Sequence, residues 1–182
     1  MKNDLSLYLA VRDQIRTADL FQWHSNSLLG FAIRWKTQKD RPHYEVEHDI
    51  NVNHSSLASC LIEQESQELR RYTTEALEKG IIPNFLSVRL ENFNGSVWWY
   101  PLKDELNDQR AEMAKREFAS RGIPYDYRAI VKLMVGIQPK IDNRNLYCNE
   151  ACCVAWGIKA DTARNPNWLP NLGIFKEPVK IL

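Results

Sequence analysis

Two segments, HSSLASCLI (residues 54–62) and RRYTTEAL (residues 70–77), alternate small or polar residues with apolar ones on either side of the polar run EQESQE. Side chains in a strand point alternately to opposite faces, so this period-two pattern around a polar turn predicts an antiparallel hairpin. The hairpin constrains the fold more than anything else in the chain. It needs further strands to extend it and apolar helices to cover it.

The flanking sequence supplies both. ADLFQW (18–23) is short, apolar and aromatic, as a buried strand is, and Asn94-Gly95 is a turn signal ahead of another strand, SVWWYPL. NDLSLYLAVRDQIR places Leu5, Tyr8, Leu9 and Ile15 at helical spacing, with Asn3 or Asp4 as the cap. SNSLLGFAIRWKT repeats that period through Leu28, Leu29, Ala32, Ile33 and Trp35. The section from Asp40 to Leu77 reads as strand-rich. Residues 103–120 are charged and helix-prone, GIPYDY (122–127) breaks them, and further helices are expected at 129–135 and from Cys148. The expected architecture is α+β, a mainly antiparallel sheet packed by helices. At 182 residues the chain suits one domain, 1–182, with an N-terminal helix in 1–17 and a Pro-containing tail at 159–182.

Charge excludes one class of partner. Lys and Arg total 24 against 23 Asp and Glu, net +1, scattered without a basic stripe, so no nucleic-acid partner is expected. No apolar run approaches the roughly 20 residues that cross a bilayer, so no membrane span is expected. MKNDLSLYLAVRDQIR is interrupted by charge too often for a signal peptide. The expectation is a soluble protein made in the cytoplasm, with carriage in a phage particle a compatible export route. The four Cys are read as reduced thiols.

Three of those cysteines fall in RNLYCNEACCVAWGI (144–158). Zinc sites usually pair ligands as C-x2-C, and one helix directing C-x3-C-C cannot aim all three at a tetrahedral centre. C-x-x-C, the redox spacing, is absent. Cys152 and Cys153 lie among Ala151, Val154 and Ala155, where a Cys behaves as a small hydrophobe. Cys148 differs, because it starts the helix. There the dipole and the first-turn N–H groups favour a thiolate and can hold an oxyanion. Cys148 is therefore a candidate nucleophile, expected to be an exposed first-turn thiol.

A nucleophilic Cys needs a base, normally His, and a group to orient it. The chain offers His24, His43, His48 and His54. His54 opens one strand of the hairpin and Glu75 lies on the other, which suits a carboxylate to accept an imidazole N–H. A surface or core histidine and a solvated Glu are the plainer readings of the same residues.

Several ordered pieces resemble the circularly permuted papain-like amidases, the YiiX-like branch of the NlpC-type cell-wall hydrolase superfamily. ADLFQWHSNSLLGFAIRWKT resembles its opening strand and helix, VNHSSLASCL its His strand, and YTTEALEKGIIPNFLSVRL its Glu-Ala segment and following helix. GSVWWYPL, GIPYDY and YCNEACCVAW resemble the next strand, a Gly-x-Pro-Tyr-Asp element and the nucleophile helix. His and Glu precede Cys, as permutation requires. The resemblance implies a circularly permuted papain-like (NlpC-type) fold with Cys148 as nucleophile, His54 as base and Glu75 as orienting partner. Asn149 departs from it, since the family commonly has Ser after the Cys. HYEVEHDI is an alternative His strand, which would make His43 the base; NHSSL, leading straight through the hairpin to Glu75, favours His54.

The implied activity is a cysteine peptidase or amidase cleaving an amide or ester through an acyl-enzyme, with no metal and no cofactor. Tyr125 and Tyr147 are expected to border the cleft. Trp23, Trp35, Trp98 and Trp99 either line a groove or fill the core. A peptidoglycan-type peptide is the first expected substrate and a lipid-like amide or ester the second. The rival is a non-catalytic binding or structural module of the same fold, such as a component of a phage particle.

Overall fold

The computed structural model describes residues 2–63, 66–135, 137, 144–159 and 164–182. The predicted hairpin forms as β2 (His54–Ile62) and β3 (Leu69–Leu77), in the register Ser56↔Glu75 and Ile62↔Leu69. With β1 (Leu20–Ser25), β4 (Gly80–Phe85), β5 (Gly95–Tyr100) and β6 (Val179–Lys180) it makes one sheet in the order β4-β3-β2-β1-β5-β6, every pairing antiparallel. The helices are α1 (Ser6–Val11), α2 (Leu28–Thr37), α3 (His43–Glu47), α4 (Leu86–Glu91), α5 (Arg110–Ser120), α6 (Tyr127–Met134) and α7 (Cys148–Trp156). The protein is α+β, as expected. Among the described residues no helix is long and apolar enough to cross a membrane.

The central strands are buried on both faces. Leu20, Leu57 and Tyr100 pack with Met113 of α5 and with Cys152, Cys153 and Trp156 of α7. Phe21, Trp23, Ala58, Val97 and Trp99 face the other way, onto Tyr8, Ile15, Leu86 and Leu90. Small residues along β2 let helices approach both sides, which is why that strand alternates Ser and Ala with only a few large side chains. Cys152 and Cys153 are core residues, as their apolar neighbours implied.

Four expectations change. The N-terminal helix ends at Val11 and continues as a 3-10 turn, Arg12–Gln14; Tyr8 and Ile15 are buried, but Leu9 is exposed. Asp4 accepts the Ser6 N–H, whereas the Asn3 amide donates to the carbonyls of Leu90 and Phe93. The segment HYEVE is not a strand but α3, with Glu45 buried and accepting the Tyr100 hydroxyl. Tertiary burial of that carboxyl overrides the local alternation. GIIPNF and the C-terminal tail contribute two strands, β4 and β6, and β6 covers the outer edge of β5, protecting it from foreign pairing. Residues 160–163 of the tail lie outside the described residues. The fourth change is in α2, whose inward face is Gly30, Arg34 and Thr37 while Leu28, Leu29, Phe31 and Trp35 are exposed. Of the remaining tryptophans named above, Trp23 and Trp99 are core.

The Asn94-Gly95 turn has a strict steric requirement. Gly95 has φ +156°, and a Cβ there would stand 1.8 Å from the His24 carbonyl oxygen. Gly95→Ala is expected to cost about 3 kcal/mol, read as a lower thermal midpoint. An unchanged midpoint would show that β1 and β5 can separate at this point without penalty.

Candidate active site

His54 and Glu75 meet because of the hairpin register. Ser56 pairs with Glu75, and His54 shares Ser56's face, so His54 and Glu75 are diagonal neighbours on adjacent strands. His54 Nε2 lies 3.1 Å from Glu75 Oε2, the His side chain 14% exposed and the Glu fully buried. Below them Trp23 Nε1 donates to Ser56 Oγ (2.7 Å), which is 2.6 Å from Thr73 Oγ1. These bonds hold the two strands in the register that brings His54 to Glu75.

A buried carboxylate needs more than one partner, and Arg89 of α4 supplies the second. Its Nε donates to Glu75 Oε1 at 2.9 Å and its Nη2 to Oε2 at 3.3 Å. The guanidinium lies over the Trp23 and Phe93 rings, 5.2 and 5.1 Å from their centroids. Burial by itself would raise the Glu75 carboxyl, but His54 and Arg89 hold it below the usual carboxylate range. Arg89 had no role in the sequence reading, although it sits in the LSVRL segment that carries part of the resemblance. Its signal was a lone cation one short element after Glu75, indistinguishable in sequence from a surface arginine.

Cys148, the first residue of α7, also acts on the His54 ring. Burial opposes a charge on the ring, but the influence of Cys148 and the hydrogen bond and attraction to Glu75 outweigh it, pushing the pKa up to about 9. That is above the unfolded value of about 6.5. The resulting stabilisation is therefore whole below about pH 6.5 and is lost as the pH rises through about 9. Thermal midpoints are expected to decline across that interval, and His54→Gln to flatten the decline. A decline of the same size in the variant would place its origin elsewhere.

The start of α7 is tightly built. The Glu150 carboxylate accepts the Tyr147 N–H at 3.1 Å, burial pushes its pKa up to about 7, and the first intrahelical bond runs from Ala151 N to Tyr147 O. First-turn N–H groups have no intrahelical acceptor, so they point at whatever lies beyond the helix. The Cys148 thiol donates to Asn149 Oδ1 (3.4 Å), and the Asn149 side chain is completely buried.

Two expectations are corrected here. Cys148 is not an exposed thiol: it is 3% exposed, packed with Ala76, Ile81, Ala129 and Leu146 beneath Tyr125 and Ile130. Tyr147 does not border an open cleft but is buried, its hydroxyl donating to the Arg164 carbonyl. Tyr125 keeps a position beside Cys148, half-buried, with Tyr127 edge-on at 4.9 Å. His43, the alternative candidate, lies on α3 and not on a strand, its side chain 88% exposed and 3.3 Å from Glu47. His24 is on β1, beside Trp98.

An antiparallel sheet packed by helices on both faces, with a buried Cys–His–Glu–Arg cluster at one end, defines the class of protein in structural terms. A solved structure with the same fold is the metalloprotein YiiX of Escherichia coli O157:H7 (DUF1105), 17% identical, with a TM-score of 0.56 over 91% of this chain and 88% of the other. No protein-family model and no curated protein sequence matches the chain.

Proposed function

We propose that the chain is a cysteine-dependent hydrolase of amide or ester bonds, built as a circularly permuted papain-like domain. The observation that carries this reading is the His54 ring, 3.1 Å from the Glu75 carboxylate and near enough to Cys148 for that side chain to raise its pKa. Three residues far apart in sequence converge in the roles of nucleophile, base and orienting group.

In this mechanism His54 takes the Cys148 proton, and Sγ attacks the substrate carbonyl carbon. The first-turn N–H groups of α7 hold the oxyanion. As the tetrahedral centre collapses, the leaving amine or alcohol departs with the proton from His54, leaving a thioester on Cys148. Water then gives a proton to His54, adds to the thioester, and the acid product leaves as the thiol is restored. Glu75 fixes the imidazole orientation and balances its positive charge, while Arg89 fixes Glu75. Tyr125 borders the approach to the sulfur.

The YiiX neighbour is described as a metalloprotein. Among the described residues of this chain no group of three or more His, Cys, Asp or Glu side chains is arranged to hold a metal ion, so these residues do not fit one and no step runs through it. A peptidoglycan-type peptide is the first substrate proposed, and a lipid-like amide or ester the second.

The decisive experiment is competitive alkylation. Iodoacetamide near neutral pH, followed by peptide mass spectrometry, is expected to label Cys148 well ahead of Cys60, Cys152 and Cys153. Cys152 is a matched control, because burial raises its thiol well above the ordinary range on the same helix. Four equally slow thiols would instead favour the non-catalytic module, with a phage-particle component as its concrete form.

A further inference from the structure

The helix α2 is built inside out. Its protein-facing side is small and polar: Gly30 sits so close to β1 that a Cβ would stand 2.7 Å from the Ser25 carbonyl oxygen. Arg34 donates to that carbonyl and to Asn53 Oδ1, and the Thr37 hydroxyl accepts from the Asn167 amide. Hydrogen bonds fasten the helix down and leave its apolar residues outside. Leu28, Leu29, Phe31 and Trp35 are between 62% and 91% exposed. Helix α6 turns Ala129 and Ile130 toward the cluster that holds Cys148, and leaves Val131, with Val135 just beyond its end, 63% and 65% exposed.

Topology places these two helices on opposite flanks of the candidate site. Helix α2 leaves the C-terminal end of β1, and Asn53, the residue before His54, accepts both the Ser25 N–H and Arg34. Helix α6 follows Tyr125, and the neighbouring Ile123 carbonyl accepts the N–H of Ile81 near the start of β4. In the order β4-β3-β2-β1 these positions, together with His54 and Glu75, all lie at one end of the sheet. Neither LLGFAIRWKT nor YRAIVKLM contains an acidic residue, and Lys36, Lys39, Arg128 and Lys132 are exposed on or just beyond them; of the flanking carboxylates, Asp40 accepts the Asn165 amide and Asp126 accepts the Ala129 N–H.

Two helices with exposed apolar side chains and no acidic residue of their own are complementary to a surface that is apolar within and negative at its boundary. We propose that the end of the sheet holding Cys148 and His54 docks on an anionic lipid bilayer, with α2 and α6 lying in the headgroup region on either side of the site. The aliphatic and aromatic side chains enter the acyl boundary, and the Lys and Arg side chains reach back to the lipid phosphates. Docking of this kind goes beyond hydrolysis and does not require that Cys148 turn over.

The test is co-sedimentation of the full chain with phosphatidylcholine vesicles, with and without phosphatidylglycerol. Binding is expected to require phosphatidylglycerol and to fall with added salt. Removing each of Lys36, Lys39, Arg128 and Lys132 is expected to weaken it about fivefold. Phe31→Ser with Trp35→Ser, and separately Val131→Ser with Val135→Ser, are expected to weaken it at least about tenfold. These residues are exposed, so the variants are expected to keep the wild-type melting profile; should an apolar pair fail to fold, the charge series decides alone. The proposal is overturned if the protein stays in the supernatant with anionic vesicles at low salt, or if it binds equally in all variants. It is also overturned if light scattering shows a dimer that the apolar substitutions dissociate, since the ridges would then be covered by a second copy. Running both assays on wild-type and Cys148→Ser protein separates the two hypotheses: hydrolysis lost in Cys148→Ser with binding retained leaves docking intact, and wild-type hydrolysis without vesicle binding overturns docking and leaves only the enzyme.

Discussion

Cys148→Ala protein is expected to fold normally and to hydrolyse substrate at least about a thousandfold more slowly than wild type. Loss of one sulfur from a small buried side chain leaves the surrounding packing of Ala76, Ala129 and Leu146 nearly unchanged, so stability should drop by only about 1 kcal/mol. In the proposed mechanism activity depends on that atom alone, because the other three thiols lie away from His54: Cys152 and Cys153 are core, and Cys60 faces the Ile15 carbonyl. His54→Ala is expected to give a loss of similar size, and the double variant to be no worse than the slower single one, since nucleophile and base act as a unit. Losses that multiply would show that the two residues act independently, against a shared proton transfer. The assay is hydrolysis of peptidoglycan-type peptides and of simple acyl amides and esters, scored with the alkylation pattern.

Glu75→Ala is expected to damage both stability and activity. The substitution leaves the Arg89 guanidinium and the His54 ring without their shared carboxylate in a largely buried setting. Breaking a buried ion pair from one side costs about 3–5 kcal/mol. With 28% of the Arg89 side chain exposed, solvent repairs part of the loss, which places the cost near the lower bound. In a protein of this size about 3 kcal/mol lowers the melting midpoint by roughly 6–12 °C. Hydrolysis should fall by about a hundredfold or more, because the imidazole loses its orientation. Adding Arg89→Met removes the stranded cation, so the double variant is expected to be more stable than the sum of the two singles predicts. Strict additivity would mean that Glu75 and Arg89 are not energetically coupled, contrary to their 2.9 Å contact.

Local pattern was enough for the hairpin, for the strands around ADLFQW and SVWWYPL, and for a helix beginning at Cys148, because period, turn residues and helix starts are encoded within about ten residues. It pointed to His54 and Glu75 as candidates on one hairpin, but their contact depends on the register Ser56↔Glu75, which the alternation alone does not fix. It failed where burial is decided by distant partners. HYEVE alternates like a strand, yet Glu45 is drawn into a helix turn against Tyr100. The periodicity of α2 was correct and its face was wrong, because hydrogen bonds from Arg34 to Ser25 and Asn53 turn the polar side inward.

The sequence by itself determined the α+β class and the central hairpin, properties of residues near one another along the chain, and it offered Cys148, His54 and Glu75 as candidates. Only the tertiary structure decided that Cys148 is buried, that Arg89 is the second partner of Glu75, that Tyr147 is packing and that α2 and α6 carry exposed apolar side chains among the described residues. The physical reason is that these last features are set by which surfaces meet across the sheet. A guanidinium, a thiol or a leucine has the same local signature whether its neighbour is a buried carboxylate, a packed helix or water.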